Sequence, residues 1–160
     1  MRSSQTILLA EDNPDDVLLA QIAFERAGLT PRLIVVSDGE EAVRYLKGED
    51  PYADRSRFPF PNLVLLDLDM PKLTGFEVLS WLRRSPGARH LPVVILADTS
   101  YHGDLARCLD LGADSFIDKP KDTFNFTLVF KKLADRWLFG HGRKIPSTLP
   151  ISPVPLVAAP

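Results

Sequence analysis

Three carboxylates stand directly after short apolar runs in this sequence, where a folded chain could use them to bind a metal ion. Glu11 and Asp12 follow the run TILLA (6–10), and Asp67 ends the run NLVLLD (62–67). If these runs are neighbouring parallel strands, the carboxylates share one edge of the sheet and repel one another unless a cation compensates. Mg²⁺ suits this role because it takes oxygen ligands and keeps several waters that an incoming phosphate can replace.

A lysine is expected at the same edge. Lys119 follows the apolar run SFID (115–118) and would add a point positive charge beside the carboxylates. Taken singly, an Asp after a strand is often only a helix cap, and a lysine is usually solvated at the surface. The meeting of all these groups at one edge favours a functional site.

Five short apolar runs alternate with segments that carry helix signals. The runs lack inside–outside alternation, which is typical of strands buried on both faces of a parallel sheet. Asn13 and Pro14 indicate where the first helix starts, and Asp15 and Asp16 suit its positive end. Such βα alternation predicts an α/β fold with a doubly wound parallel sheet, whose ligand site lies at the carboxyl ends of the strands. The runs are residues 6–10, 32–37, 62–67, 91–97 and 115–118.

Length and proline placement indicate one domain followed by a tail. The 160 residues are enough for a single well-cored domain. Five prolines fall in residues 140–160, so we expect a domain over residues 1–138 and an extended or disordered Pro-rich tail over residues 139–160. Residues 48–61, with three further prolines, should form a long loop.

Charge and cysteine content exclude several classes of partner. The formal net charge is −2, so no broad basic surface is available to bind nucleic acid. Cys108 is the only cysteine, which excludes an internal disulfide and fits a reducing cytosol. No stretch approaches the length of a membrane span. We therefore expect a cytoplasmic protein with no nucleic-acid or membrane partner.

Three motifs carry a resemblance to a known family. EDN (11–13), DLDMPKLTG (67–75) and KP (119–120), at this spacing, resemble the receiver domains of two-component response regulators. The resemblance covers residues 6–138. It implies the flavodoxin-like (βα)5 fold with strand order 2-1-3-4-5, and a cis peptide bond in the KP motif. It also implies a signalling protein that is no enzyme beyond catalysing its own phosphotransfer and dephosphorylation.

The resemblance assigns roles to the candidate site residues. It implies that Asp67 accepts a phosphoryl group from the phosphohistidine of a sensor histidine kinase. Asp12 would bind Mg²⁺ directly and Glu11 mainly through water, while the backbone carbonyl of Asp69 would complete the protein ligands. Lys119 would pair with the phosphoryl group.

The end of the fourth apolar run departs from the family pattern. Ala97 stands where receivers have a hydroxyl residue that holds a phosphoryl oxygen, and Phe116 stands where they have a switching aromatic residue. Either both are plain core residues, with Thr99 or Ser100 supplying the hydroxyl group, or the switch is altered; we favour an altered switch. Asp98 and Asp69 add negative charge beside the expected phosphoryl group. They either repel that group, orient a hydrolytic water or point outward; we favour a short-lived phosphorylated state.

Several segments most resemble single-domain regulators that are paired with phytochrome-type sensor histidine kinases. They are the loop 48–61, VVSDGEEAVRYL (35–46), DLGAD (110–114) and DRWL (135–138). This resemblance implies a homodimer through the fourth and fifth helices. The last helix has more aromatic residues than one core stripe needs, and these pack inward if no dimer forms. They are Phe124, Phe126, Phe130 and Trp137.

Two rival functions stay open. DLD (67–69) resembles the nucleophile motif of haloacid-dehalogenase-type phosphatases, although Pro71 breaks that motif. The other rival is a pseudo-receiver, a binding module that keeps the fold and does not use phosphate. Ala97 favours the pseudo-receiver, whereas the intact carboxylates and Lys119 argue against it.

Overall fold

Five parallel strands form one sheet in the order β2-β1-β3-β4-β5. The computed structural model describes residues 4–98 and 102–139. The strand order confirms the predicted α/β, flavodoxin-like doubly wound fold. The strands are β1 (Thr6–Ala10), β2 (Arg32–Val36), β3 (Leu63–Asp67), β4 (Val93–Ala97) and β5 (Ser115–Asp118).

A helix follows each strand, and local capping sets where several of them begin. The Asn13 side chain accepts hydrogen bonds from the backbone N–H groups of Asp15 and Asp16. The side chain of Thr74, before the third helix, likewise accepts a hydrogen bond from the backbone N–H of Glu77. These contacts satisfy donors that the first helical turn leaves unpaired. The helices are α1 (Pro14–Arg26), α2 (Gly39–Lys47), α3 (Gly75–Arg84), α4 (His102–Asp110) and α5 (Thr123–Leu133), which continues as a π-helical turn (Ala134–Leu138).

Alternate strand residues enter two apolar layers, one beneath α1 and α5 and the other beneath α2, α3 and α4. In β3, Leu63 and Leu65 join the first layer, and Val64 and Leu66 join the second. All residues of β1, β3 and β4 are buried, which explains why their sequences do not alternate. Only the ends of these strands remain accessible for chemistry.

Aromatic packing holds the loop between α2 and β3. The ring centroids of Tyr45, Tyr52 and Phe58 lie between 4.9 and 6.3 Å apart. The Tyr45 hydroxyl donates to the carbonyl of Pro59 at 2.8 Å, and the Tyr52 hydroxyl donates to Glu41 on α2. The long loop predicted from its prolines is therefore packed against the domain.

Two expectations concern the chain beyond the sheet. Among the described residues the cis peptide bond is Asp50–Pro51, so the expectation of a cis Lys119–Pro120 bond is wrong. The last helical turn ends at Leu138, and the proposed tail lies outside the described residues except for Phe139. No helix among the described residues is long and apolar enough to cross a membrane.

Candidate functional site

The pairing of β1 with β3 brings the predicted carboxylates together. Ala10 lies opposite Leu66 in this parallel pair, so Glu11 and Asp67 are the next residues on adjacent strands. Glu11, Asp12 and Asp67 each offer a carboxylate oxygen, and these oxygens lie within 4.8 Å of one another. All three residues line one cleft, which we call the acidic cleft. Glu11 and Asp67 are buried in it, whereas Asp12 is exposed. This set of oxygen donors, open to solvent on one side, fits Mg²⁺.

Lys119 reaches the same group of carboxylates from the end of β5. Its backbone N–H donates to the carbonyl of Ala97 at 3.0 Å, which anchors the residue beside β4. Its Nζ lies 2.8 Å from Glu11 Oε2 and 3.6 Å from Asp67 Oδ1. Only 8% of Lys119 is exposed, so its charge acts in a partly desolvated site where electrostatic interactions are strong.

Asp16 is a site residue that the sequence reasoning assigned only to the dipole of α1. Its Oδ2 lies 3.1 Å from Lys119 Nζ and accepts a hydrogen bond from it. The available signal was its position, because a residue in the first turn of α1 lies at the same sheet edge as Asp12. The ammonium therefore has a third carboxylate partner outside the predicted set.

The buried charges shift one another's pKa values. Burial raises the pKa of Asp67 to about 7; the Glu11 carboxylate adds to the rise, and the Lys119 charge opposes it. For Lys119, burial alone lowers the pKa, but the carboxylates of Glu11, Asp67 and Asp16 outweigh burial and raise it. A divalent cation would relieve the repulsion between the carboxylates and keep Asp67 ionised.

The turn after Asp67 requires a glycine at the start of α3. A Cβ atom on Gly75 would lie 2.3 Å from the carbonyl oxygen of Asp67 and 2.7 Å from Leu68 Cα. The Gly75 N–H donates to the carbonyl of Leu68 at 2.9 Å, which closes the turn. Lys72, within this turn, has a φ of 69° in the left-handed region. The close approach of α3 thus fixes the position of the end of β3.

Ala97 and Phe116 lie on the adjoining strands β4 and β5. Ala97 ends β4, pairs with Asp118 across the sheet and lines the acidic cleft. Phe116 is buried in the apolar layer beneath α2, α3 and α4. A methyl group therefore occupies the wall of the cleft at residue 97, and it offers no side-chain hydrogen bond there.

Asp98 also lines the cleft, and it has a partner of its own. Its carboxylate is paired with the ammonium of Lys121, and both side chains are exposed. Asp69, the predicted backbone ligand, lines the same cleft. Thr99, predicted as a neighbour of the phosphoryl group, lies outside the described residues.

The sequence matches a family described as the response regulator receiver domain, over residues 7–129. A curated relative is the probable methanogenesis regulatory protein FilR2 of Methanothrix harundinacea. It is 37% identical over 132 residues, which cover 82% of this chain and 83% of that protein.

Solved structures of response regulators, several of them linked to phytochromes, resemble the whole domain. RPA3017, in red light signaling of R. palustris, has a TM-score of 0.78 and 34% identity, covering 84% of this chain and 94% of that one. The phosphorylated cyanobacterial phytochrome response regulator RcpA has a TM-score of 0.76 and 32% identity, covering 85% and 95%. The Mn²⁺-bound form of response regulator Rcp1 has a TM-score of 0.73 and 28% identity, covering 89% and 99%. Motifs, strand order and site geometry thus agree with these comparisons, and the chain belongs to the response regulator receiver domain family of two-component signalling.

Proposed function

We propose that this chain is a single-domain response regulator that accepts a phosphoryl group on Asp67 from a sensor histidine kinase, in a Mg²⁺-dependent phosphorelay. The observation that carries the proposal is the placement of Asp67. Asp67 as a residue is 5% exposed, and its carboxylate lies within 4.8 Å of two other carboxylate donors and 3.6 Å from Lys119 Nζ. A carboxylate held in this way is a nucleophile with a cation beside it.

The chain's own groups have distinct roles in the transfer. An Asp67 oxygen attacks the phosphorus of the kinase phosphohistidine, and the bond from phosphorus to the histidine nitrogen breaks. Lys119 meets the charge that spreads over the phosphoryl oxygens. Glu11, Asp12, Asp67 and the backbone carbonyl of Asp69 would hold Mg²⁺, which neutralises further phosphoryl charge when bound. The phosphorylated form of RcpA and the Mn²⁺-bound form of Rcp1 support this assignment by similarity.

The proposed kinase partner is of the phytochrome type, which is supported by the similarity of this chain to RPA3017, a regulator in red light signaling, and to the phytochrome response regulator RcpA. Two exposed apolar side chains flank the acceptor edge and offer a surface for such a kinase. Leu18 in α1 is 56% exposed and Phe124 in the first turn of α5 is 70% exposed. Both helices start at the edge where Asp67 lies, so a docked histidine would meet the acceptor from this side.

A homodimer through α4 and α5 is also proposed. Leu109 on α4 and Leu128 on α5 are exposed apolar residues that support it. Phe126 and Phe130 are buried in the core and contribute nothing to such a surface. Sedimentation across a range of protein concentrations tests the dimer, and a monomer throughout the range would rule it out.

A second candidate function rests on Ala97. Because residue 97 offers no hydroxyl group to a phosphoryl oxygen, a pseudo-receiver that binds partners without phosphate switching is the alternative. A phosphatase of the haloacid-dehalogenase type is less well supported, since a receiver turn with Pro71 and Gly75 follows the acidic motif. Absence of turnover on a phosphomonoester would remove the phosphatase.

The decisive experiment is phosphorylation with acetyl phosphate and Mg²⁺, read on a phosphate-affinity gel. The wild type should give a shifted band, and Asp67→Asn should lose it. Asp98→Asn, which changes an exposed carboxylate of the same cleft, is the matched control and should keep the band. No band in the wild type, either with acetyl phosphate or with a histidine kinase at short times, would favour the pseudo-receiver.

A further inference from the structure

A second cleft crosses the outer surface of α3, between α2 and α4, and takes no part in the proposed phosphoryl chemistry. This α3 groove has a volume of about 490 Å³. Its floor consists of half-buried apolar side chains that pack against the core but keep accessible surface. A contiguous apolar surface of this kind commonly marks a protein contact. The floor residues are Val43, Leu73, Phe76, Trp81 and Leu111.

Cations dominate the rim of the α3 groove. Lys47, Arg84 and Arg107 line it together with one acidic residue, Glu77. Among residues 4–98 and 102–139, no carboxylate oxygen lies within 4.0 Å of the Arg84 or Arg107 guanidinium. Lys47 has an exposed contact of 3.6 Å with Glu49. The rim is thus a local positive region on a chain whose net charge is −2.

The cations lie over the aromatic floor. The guanidinium of Arg107 is 3.9 Å from the ring centroid of Phe76, and Lys47 Nζ is 6.0 Å from that of Trp81. Cation–π contact holds the charged groups beside apolar surface. A bound segment could therefore bury apolar side chains on the floor and pair its carboxylates with the cations of the rim. Trp and Arg, both present here, are among the residue types that most often anchor interfaces.

We propose that the α3 groove is an interaction surface for an acidic, amphipathic helical segment of a partner protein. The apolar face of the segment would lie on Phe76 and Trp81, and its carboxylates would meet Arg84 and Arg107. The chain's own tail does not fit this role. Residues 140–160 contain no Asp or Glu and include Arg143 and Lys144, which the cationic rim would repel.

The α3 groove adjoins the acidic cleft, so its occupancy should depend on events at Asp67. Phe76 lines both the groove and the cleft. On α4, Asp104 faces the acidic cleft and Arg107, one turn later, faces the groove. This dependence, unlike the groove itself, rests on the proposed phosphorylation of Asp67.

The test uses the unphosphorylated 160-residue chain and a labelled synthetic helix of about four turns, with leucine and phenylalanine on one face and glutamate on the other. We expect saturable binding by fluorescence anisotropy, with NMR shift changes at α2, α3 and α4. The variant Arg84→Glu with Arg107→Glu should weaken binding by about tenfold or more. The matched variant Lys131→Glu with Lys132→Glu reverses two exposed cations on α5 and should leave affinity within about twofold.

Several results would overturn this proposal. The first is that the helix shows no saturable binding, and the second is that a helix with lysine in place of glutamate binds equally well. The third is that the NMR shift changes lie away from α3. The fourth is that the Arg84/Arg107 variant, with native circular dichroism, binds with unchanged affinity. If the helix bound more tightly after removal of residues 140–160, the tail would be the occupant of the α3 groove. If the protein self-associated and the Arg84/Arg107 variant did not, a second copy of the chain would be the occupant. Either would replace the proposed partner. Peptide binding needs no phosphate, so failure of acetyl phosphate labelling would not affect it.

Discussion

Lys119 Nζ lies 3.1 Å from Asp16 Oδ2, and this is closer than its distance of 3.6 Å from Oδ1 of Asp67, the proposed phosphoryl acceptor. The two paired residues are 103 positions apart in the sequence. A phosphoryl group on Asp67 would have to draw the ammonium away from this contact. Asp16 is therefore a competing counter-ion for the lysine of the site.

Replacing Asp16 should make phosphorylation more favourable. In Asp16→Asn the competing charge is removed, and we expect the fraction phosphorylated at steady state with acetyl phosphate to rise about threefold. Asp15→Asn makes the same change at the adjacent residue, which has no contact with Lys119, and should behave as wild type. A fall in the phosphorylated fraction of Asp16→Asn would show that Asp16 instead holds Lys119 in its productive position.

The buried Asp67 carboxylate should make the metal-free protein less stable at high pH. Its pKa in the folded state is about 7, above the ordinary value of 3.8. The unfolded chain therefore releases this proton at a lower pH than the folded protein does. As a result, the free energy of unfolding falls as pH rises between these two pKa values. With EDTA present, urea denaturation should show Asp67→Asn more stable than wild type at pH 8, by about 1–3 kcal/mol. The two proteins should be nearly equal at pH 4, and a pH-independent difference would contradict the expectation.

Gly75→Ala should damage both the fold and the site. The added Cβ would contact the backbone of Asp67 and Leu68 at 2.3 and 2.7 Å, so α3 or the strand end must move. We expect a loss of about 1–3 kcal/mol in thermal or urea denaturation, with slower phosphorylation. Gly87→Ala is the control, because a Cβ at Gly87 meets nothing within 4 Å. Equal stability of the two variants would argue against the close approach.

A hydroxyl group at residue 97 should prolong the phosphorylated state. Ala97→Thr would place a donor on the wall of the cleft, and we expect a phosphoryl half-life about threefold longer. Ala97→Val adds similar volume without the hydroxyl group and should not lengthen the half-life. If the valine and threonine variants change it equally, volume rather than hydrogen bonding is responsible.

Phosphoryl transfer from a kinase to this protein should depend on an exposed apolar surface, whereas phosphorylation by acetyl phosphate should not. Phe124→Ser removes the most exposed large apolar side chain among the described residues, at the acceptor edge. We expect about a tenfold slower transfer from a phosphorylated histidine kinase, with unchanged labelling by acetyl phosphate. Leu109→Ser alters a comparably apolar exposed residue on α4 and should leave the transfer rate unchanged. Parallel losses with both phosphodonors would indicate damage to the site instead.

Much of the fold was predictable because buried parallel strands and capped helices leave local patterns. β1 and β5 match the predicted runs residue for residue, whereas the run at 91–97 begins as a strand only at Val93. The edge rule for parallel sheets likewise placed Glu11, Asp67 and Lys119 together.

The order of the elements along the chain and the types of group at the carboxyl edge of the sheet were readable from the sequence, since both follow from periodicity and from which residue ends each apolar run. The tertiary structure alone decided which groups touch. Asp16 reaches Lys119, and Asp98 pairs with Lys121 beside the cleft. Arg107 lies over Phe76 to form one side of the α3 groove. These contacts join residues that are distant in sequence, and the packing of helices on the sheet sets their distances, which no local pattern encodes.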